Sequence, residues 1–144
     1  MGIEEIMNNI SFRERDEKLA DMFSSIAEEI AKLLNDKNNK YKNYKPDIST
    51  TQYRKFYEKI LELNEKANGL NEKTDDLNKK KFNVKILPFV RMLNSKVEYS
   101  KERKLCGKNF SILMKESIKK VNSAEELQNF KYFLEAIIGY MPKK

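Results

Sequence analysis

Apolar residues recur at helical spacing through most of the chain. Leu19, Met22, Phe23, Ile26, Ile30, Leu33 and Leu34 fall on one face at about 100° per residue. Tyr53, Phe56, Tyr57, Ile60 and Leu63 form a second such face, joined by the polar Asn64. A third is narrower: Ile86, Val90, Leu93 and Val97. Phe110, Leu113, Met114, Ile118 and Val121 make a fourth, and the last is the widest, with Leu127, Phe130, Phe133, Leu134, Ile137, Ile138 and Met141. A face that wide is either central to a core or shared with a neighbouring subunit. Three capping-box pairs mark helix starts: Ser11 with Glu14, Ser49 with Gln52, and Ser123 with Glu126. The pattern predicts helices over residues 12–35, 50–67, 82–105, 109–121 and 124–141. Pro88 is expected near the first turns of the third helix, where a missing amide is cheap, and Gly107 just past its end.

Between these segments the periodicity stops. Residues 36–48 are polar, Asn-rich and close with Pro46; residues 68–81 hold turn formers and no apolar spacing. Both read as mobile connectors. The expected architecture is all-α, a compact bundle of about five helices forming one helical domain over residues 1–144.

The third helix carries a second pattern beside its apolar seam. Met92, Lys96, Tyr99 and Arg103 stand at i, i+4, i+7 and i+11, so they line up along the axis. Cation, ring and cation in register suit an RNA backbone and its unstacked bases. A helix with a merely solvated polar edge gives the same spacing. On the second helix Lys55, Lys59 and Lys66 form a stripe interrupted by Glu62, while Arg54 falls on the other flank, four residues before Glu58. Candidate RNA contacts are Lys96, Tyr99 and Arg103, with Arg54, Lys55, Lys59, Arg91, Lys101 and Lys104.

Charge sharpens this picture through its distribution. The chain has a formal net charge of +7, yet residues 1–36 carry four basic and nine acidic side chains. Residues 79–108 carry ten basic and two acidic ones. A basic middle and an acidic start suit a polyanion on one side and a protein neighbour on the other.

The chemistry of catalysis is thinly represented. There is no histidine, and Cys106 is the only cysteine, which excludes an internal disulfide and a zinc site of the usual Cys/His kind. A Ser-His or Cys-His nucleophile pair is excluded as well. The paired acids Glu28-Glu29, Asp75-Asp76 and Glu125-Glu126 read as solvated faces or first-turn dipole complements, and four scattered glycines make no phosphate loop. The expectation is a non-enzyme with no cofactor and no metal. The start, MGIEEIMNN, has neither a basic region nor an apolar run, and no segment is apolar enough to span a bilayer. A cytoplasmic protein without a membrane partner is expected.

Leu87-Pro88-Phe89-Val90, followed by Ser95-Lys96, Tyr99 and Arg103, resembles the central signature of the small subunit of type III-A CRISPR effectors, the Csm interference complex. Ile48-Ser49-Thr50 with Arg54-Lys55-Phe56-Tyr57 and Leu61 resembles that family's first common block. Phe130, Phe133-Leu134-Glu135-Ala136-Ile137-Ile138 and Tyr140 resembles its closing helix. The blocks come in the family's order over about residues 48–141. Glu102 departs from the pattern, which has a small residue there, and makes the potential beside Arg103 less positive. The resemblance implies a subunit that stacks beside copies of itself in antiviral defence, along a guide RNA paired to target RNA. Its implied partners are those RNAs, neighbouring copies, and the backbone and large subunits of the complex. It implies a subunit that positions the target strand and cuts nothing: target cleavage belongs to the backbone subunit, and DNA cleavage and cyclic oligoadenylate synthesis to the large one. The alternative is a helical protein-interaction or homodimeric scaffold module without nucleic-acid binding.

Overall fold

The computed structural model describes residues 2–35, 46–70 and 72–141, and these are helical without strands; one isolated antiparallel bridge joins Ile48 to Cys106. The helices are α1 (Ile3–Asn8), α2 (Asp16–Asp21), α3 (Ala27–Leu34), α4 (Thr50–Asn68), α5 (Asp75–Lys81), α6 (Leu87–Glu102), α7 (Lys108–Lys119) and α8 (Ala124–Tyr140). A π-helical turn at Met22–Ile26 joins α2 to α3, and another at Phe82–Ile86 joins α5 to α6. The described residues thus form six rods, five of them long, in an all-α bundle.

The wide apolar face of α8 is central. It packs against both α3 and α4, with Leu127, Phe130, Phe133, Leu134 and Ile137 fully buried. Tyr53 reaches across from α4 and donates its hydroxyl proton to the Leu134 carbonyl at 2.6 Å, which satisfies a polar tip inside the core. Phe110 of α7 meets the rings of Tyr53 and Phe56 at 5.7 and 5.2 Å. The third seam is buried as its spacing predicts: Ile86, Val90, Leu93 and Val97 all face inward, where α6 lies against α7.

Three local expectations need correction. A helix does not open at Phe12: the Ser11 hydroxyl accepts from the Arg13 amide in a turn, and α2 starts at Asp16. Phe12 is completely buried, its ring tilted against Phe130 at 5.3 Å and edge-on to Phe133 at 5.9 Å, and its carbonyl accepts from the Asn129 side chain. Tertiary burial of that ring outweighs the capping preference, since burying a Phe is worth about 2–3 kcal/mol and a cap about 1 kcal/mol. Residues 68–81 are not all connector, because Asp75–Lys81 is α5, capped by Thr74 accepting from the Leu77 amide at 3.2 Å.

Pro88 stands where expected, at the second position of α6, directly after the π turn, where a missing amide is cheap. Third, the rod ends at Glu102, earlier than residue 105, and Lys104 adopts the left-handed φ of 61° that stops a helix. Gly107 begins α7 instead. A Cβ there would meet Asp47 Oδ1 at 2.4 Å, so the close approach of Asp47 requires glycine. α1 was not anticipated at all; it buries Ile3, Ile6 and Met7 against α7. Of the connector expected at 36–48, residues 36–45 lie outside the described residues.

Candidate nucleic-acid interface

The Ser49 hydroxyl accepts from the Gln52 amide at 3.2 Å and so fixes the phase of α4. With Tyr53, Phe56, Ile60 and Leu63 turned inward, Gln52, Lys55, Lys59 and Lys66 fall on the flank facing α6. The buried seam of α6 likewise leaves Lys85, Phe89, Met92, Lys96 and Tyr99 along its facing flank. Two hollows lie between the helices. One, of about 630 Å³, is lined by Lys55, Lys59, Lys96 and Tyr99; the other, of about 190 Å³, by Lys59, Lys66, Lys85, Phe89 and Met92 with Lys96. Lys59 and Lys96 belong to both, so the hollows form one trough.

Its electrostatics are lopsided. Lys55, Lys85 and Lys96 are exposed and make no ion pair or hydrogen bond among the described residues. Among the described residues Glu62 is the one acid lining the trough, 4.0 Å from Lys59 and 3.8 Å from Lys66. At the far end Tyr99 is 61% exposed. Arg103 folds back over it, donating to its hydroxyl at 2.9 Å with the guanidinium 5.2 Å from the ring centre. Lys96, Tyr99 and Arg103 therefore share one open face.

The other candidates go elsewhere. Arg91 points to the C-terminal end of α7, where it donates to the Ile118 carbonyl and, at 3.0 Å, to Asn122 Oδ1. It places a cation at the negative end of that helix dipole, on a carbonyl that also accepts from the Val121 amide. Arg54 is exposed on the opposite flank of α4, without the expected ion pair to Glu58. Lys101 and Lys104 are exposed at the end of α6, outside the trough. Lys85 and Phe89 were not among the candidates, although each precedes Lys96 at helical register (i−11 and i−7).

Another cleft, about 720 Å³, lies where the N-terminus of α8 meets the end of α4. Both of its arginines are matched, Arg13 with Glu126 at 3.1 Å and Arg15 with Glu125 at 3.0 Å, and the exposed Lys79 is its one further lining cation among the described residues. The trough differs in holding three exposed lysines, Lys55, Lys85 and Lys96, that are unmatched among the described residues. Burial pushes the Cys106 thiol up to about 11, with Asp47 adding to the rise and Lys101 opposing it, so it stays protonated at neutral pH and is a poor nucleophile. Among the described residues no group of His, Cys, Asp or Glu is arranged to hold a metal ion, and no helix is long and apolar enough to cross a membrane.

A family model described as Csm2 Type III-A matches residues 16–141. The chain belongs to that family. The Csm2 match covers every helix lining the trough and leaves only α1 outside. No curated protein and no solved structure matches the chain. Csm2 membership makes it the small subunit of a type III-A CRISPR effector, a component that works with other subunits.

Proposed function

We propose that the chain is a non-catalytic RNA-binding subunit whose α4–α6 trough holds an RNA backbone, positioning guide and target RNA inside the effector without cutting either. The observation that carries this reading is the row of unpaired lysines, Lys55, Lys85 and Lys96, in a trough ending on the exposed Tyr99–Arg103 pair. Lysine contacts to phosphates read no base edge, so the affinity they supply is independent of sequence and falls with salt. That suits a subunit which must accept any target. Lys55, Lys59, Lys96 and Arg103 neutralise phosphates while Tyr99 packs against a ribose or base. The test is a gel shift with unrelated RNA strands of equal length. Equal affinities that weaken together as salt rises are expected. Absence of binding at low salt returns the chain to the scaffold reading.

The same reading has the subunit act as one helical domain beside its backbone and large partners, with copies stacked head to tail. The acidic segment 1–36, net −5, complements the basic middle of a neighbouring copy. Raising ionic strength is expected to dissociate copies observed by sedimentation. Self-association indifferent to salt while RNA binding disappears would refute charge-driven stacking.

A further inference from the structure

Phe89 and Met92 stand on the open face of α6 with about half of each side chain in water, 51% and 54% exposed. Apolar residues scattered singly over a surface are ordinary. These two share a helical face with Tyr99, and Lys59, Lys66, Lys85 and Lys96 line the same hollow against a single acid, Glu62, among the described residues. Protein–protein contact surfaces are depleted in lysine. A ring and a thioether surrounded by ammonium groups match a different ligand, one with flat apolar faces carried on a polyanion. That ligand is an RNA strand with a base free of its pairing partner.

We propose that Phe89 and Met92 form a base platform, separate from Tyr99, that receives an unpaired nucleobase while Lys59, Lys85 and Lys96 hold the flanking phosphates. The inference rests on the RNA-binding reading of the trough and narrows it: the trough distinguishes a strand with an accessible base from an uninterrupted duplex. In a duplex every base face is covered by its stacked neighbours. The lysines then keep their phosphates, and the apolar pair stays in water.

The chain contains no tryptophan, so Phe89→Trp places a single fluorescent reporter on the platform. In the full-length protein, single-stranded RNA is expected to quench that emission. A perfect duplex, and a strand of abasic ribose phosphates of the same length, should bind without quenching. Replacing both residues (Phe89→Ala with Met92→Ala) is expected to weaken single-strand binding about tenfold or more. The salt slope should stay unchanged, because no cation is removed. Equal quenching by duplex and single strand, or undiminished single-strand affinity in the double variant, overturns the platform and leaves the lysine trough standing. Loss of self-association at unchanged RNA affinity assigns the patch to a protein neighbour and overturns it too. If the native chain binds no RNA in any form, the platform and the reading beneath it fall together.

Discussion

Replacing Lys55, Lys59 and Lys96 together by alanine is expected to weaken RNA binding on the order of 100-fold at 0.1 M salt. Each phosphate contact on a single strand contributes about 0.7 to the slope of log K against log salt. At 0.1 M salt that is about a factor of five per contact, and three contacts multiply. The slope itself should therefore fall by about 2. All three side chains are exposed, and their only ion pair among the described residues is the 4.0 Å approach of Lys59 to Glu62, so the melting temperature should hardly move. Glu62→Gln supplies the converse arm. It removes that acid from the trough and releases Lys59 and Lys66, so binding should tighten. A filter-binding titration across salt concentrations reads both variants. A triple variant with native slope would place the phosphates elsewhere.

The parts legible in the sequence are those whose signal is periodic burial. The seams of α4, α6 and α8 follow directly from their apolar spacing, and the exposed register of Lys96, Tyr99 and Arg103 is the complement of a buried one. α5 escaped this reading because it buries nothing. Its signal is electrostatic: Thr74 as cap, Asp75 and Asp76 in the first turn, Lys79, Lys80 and Lys81 in the last. α1 is one turn and a half, yet Ile3, Ile6, Met7 and Ile10 already have helical spacing. Arg91 looked like its basic neighbours because its acceptors, Ile118 and Asn122, lie 27 and 31 residues away. The trough was legible only as two separate lysine-bearing flanks. Joining them requires knowing how α4 lies beside α6, and that is set by tertiary contacts remote from both stripes.

Asp47 is the residue on which that placement turns, and Asp47→Ala is expected to destabilise the fold by about 3 kcal/mol. Its carboxylate accepts from the amides of Asn109 at 3.1 Å and Phe110 at 2.7 Å, capping α7 where Gly107 has no side chain to do so. Its own amide donates to the Leu34 carbonyl at 2.9 Å, and its carbonyl accepts from Gly107 at 2.7 Å. The end of α3, the approach to α4 and the corner between α6 and α7 therefore meet at one residue, whose side chain holds the start of α7. Alanine keeps the backbone bonds and orphans two partly buried amides, each worth about 1–3 kcal/mol. For a chain of this size the melting temperature should fall on the order of 10 °C.

The pH dependence runs against the usual carboxylate pattern. Burial raises the Asp47 carboxyl above its ordinary value of 3.8, and the amides of Phe110, Asn109 and Gly107 only partly oppose it. With the folded value above the unfolded one, this group's contribution is full below pH 3.8 and is lost as pH rises through the raised value. The stability gap between native chain and Asp47→Ala should therefore widen as pH is lowered from 7 toward 4. Denaturant melts of both proteins across that range measure it. A gap that narrows instead would mean the amides outweigh burial and the carboxylate is held in its charged form. Because α4 and α6 touch little directly, the variant should also loosen the trough, and its RNA affinity should fall although no cation has been removed.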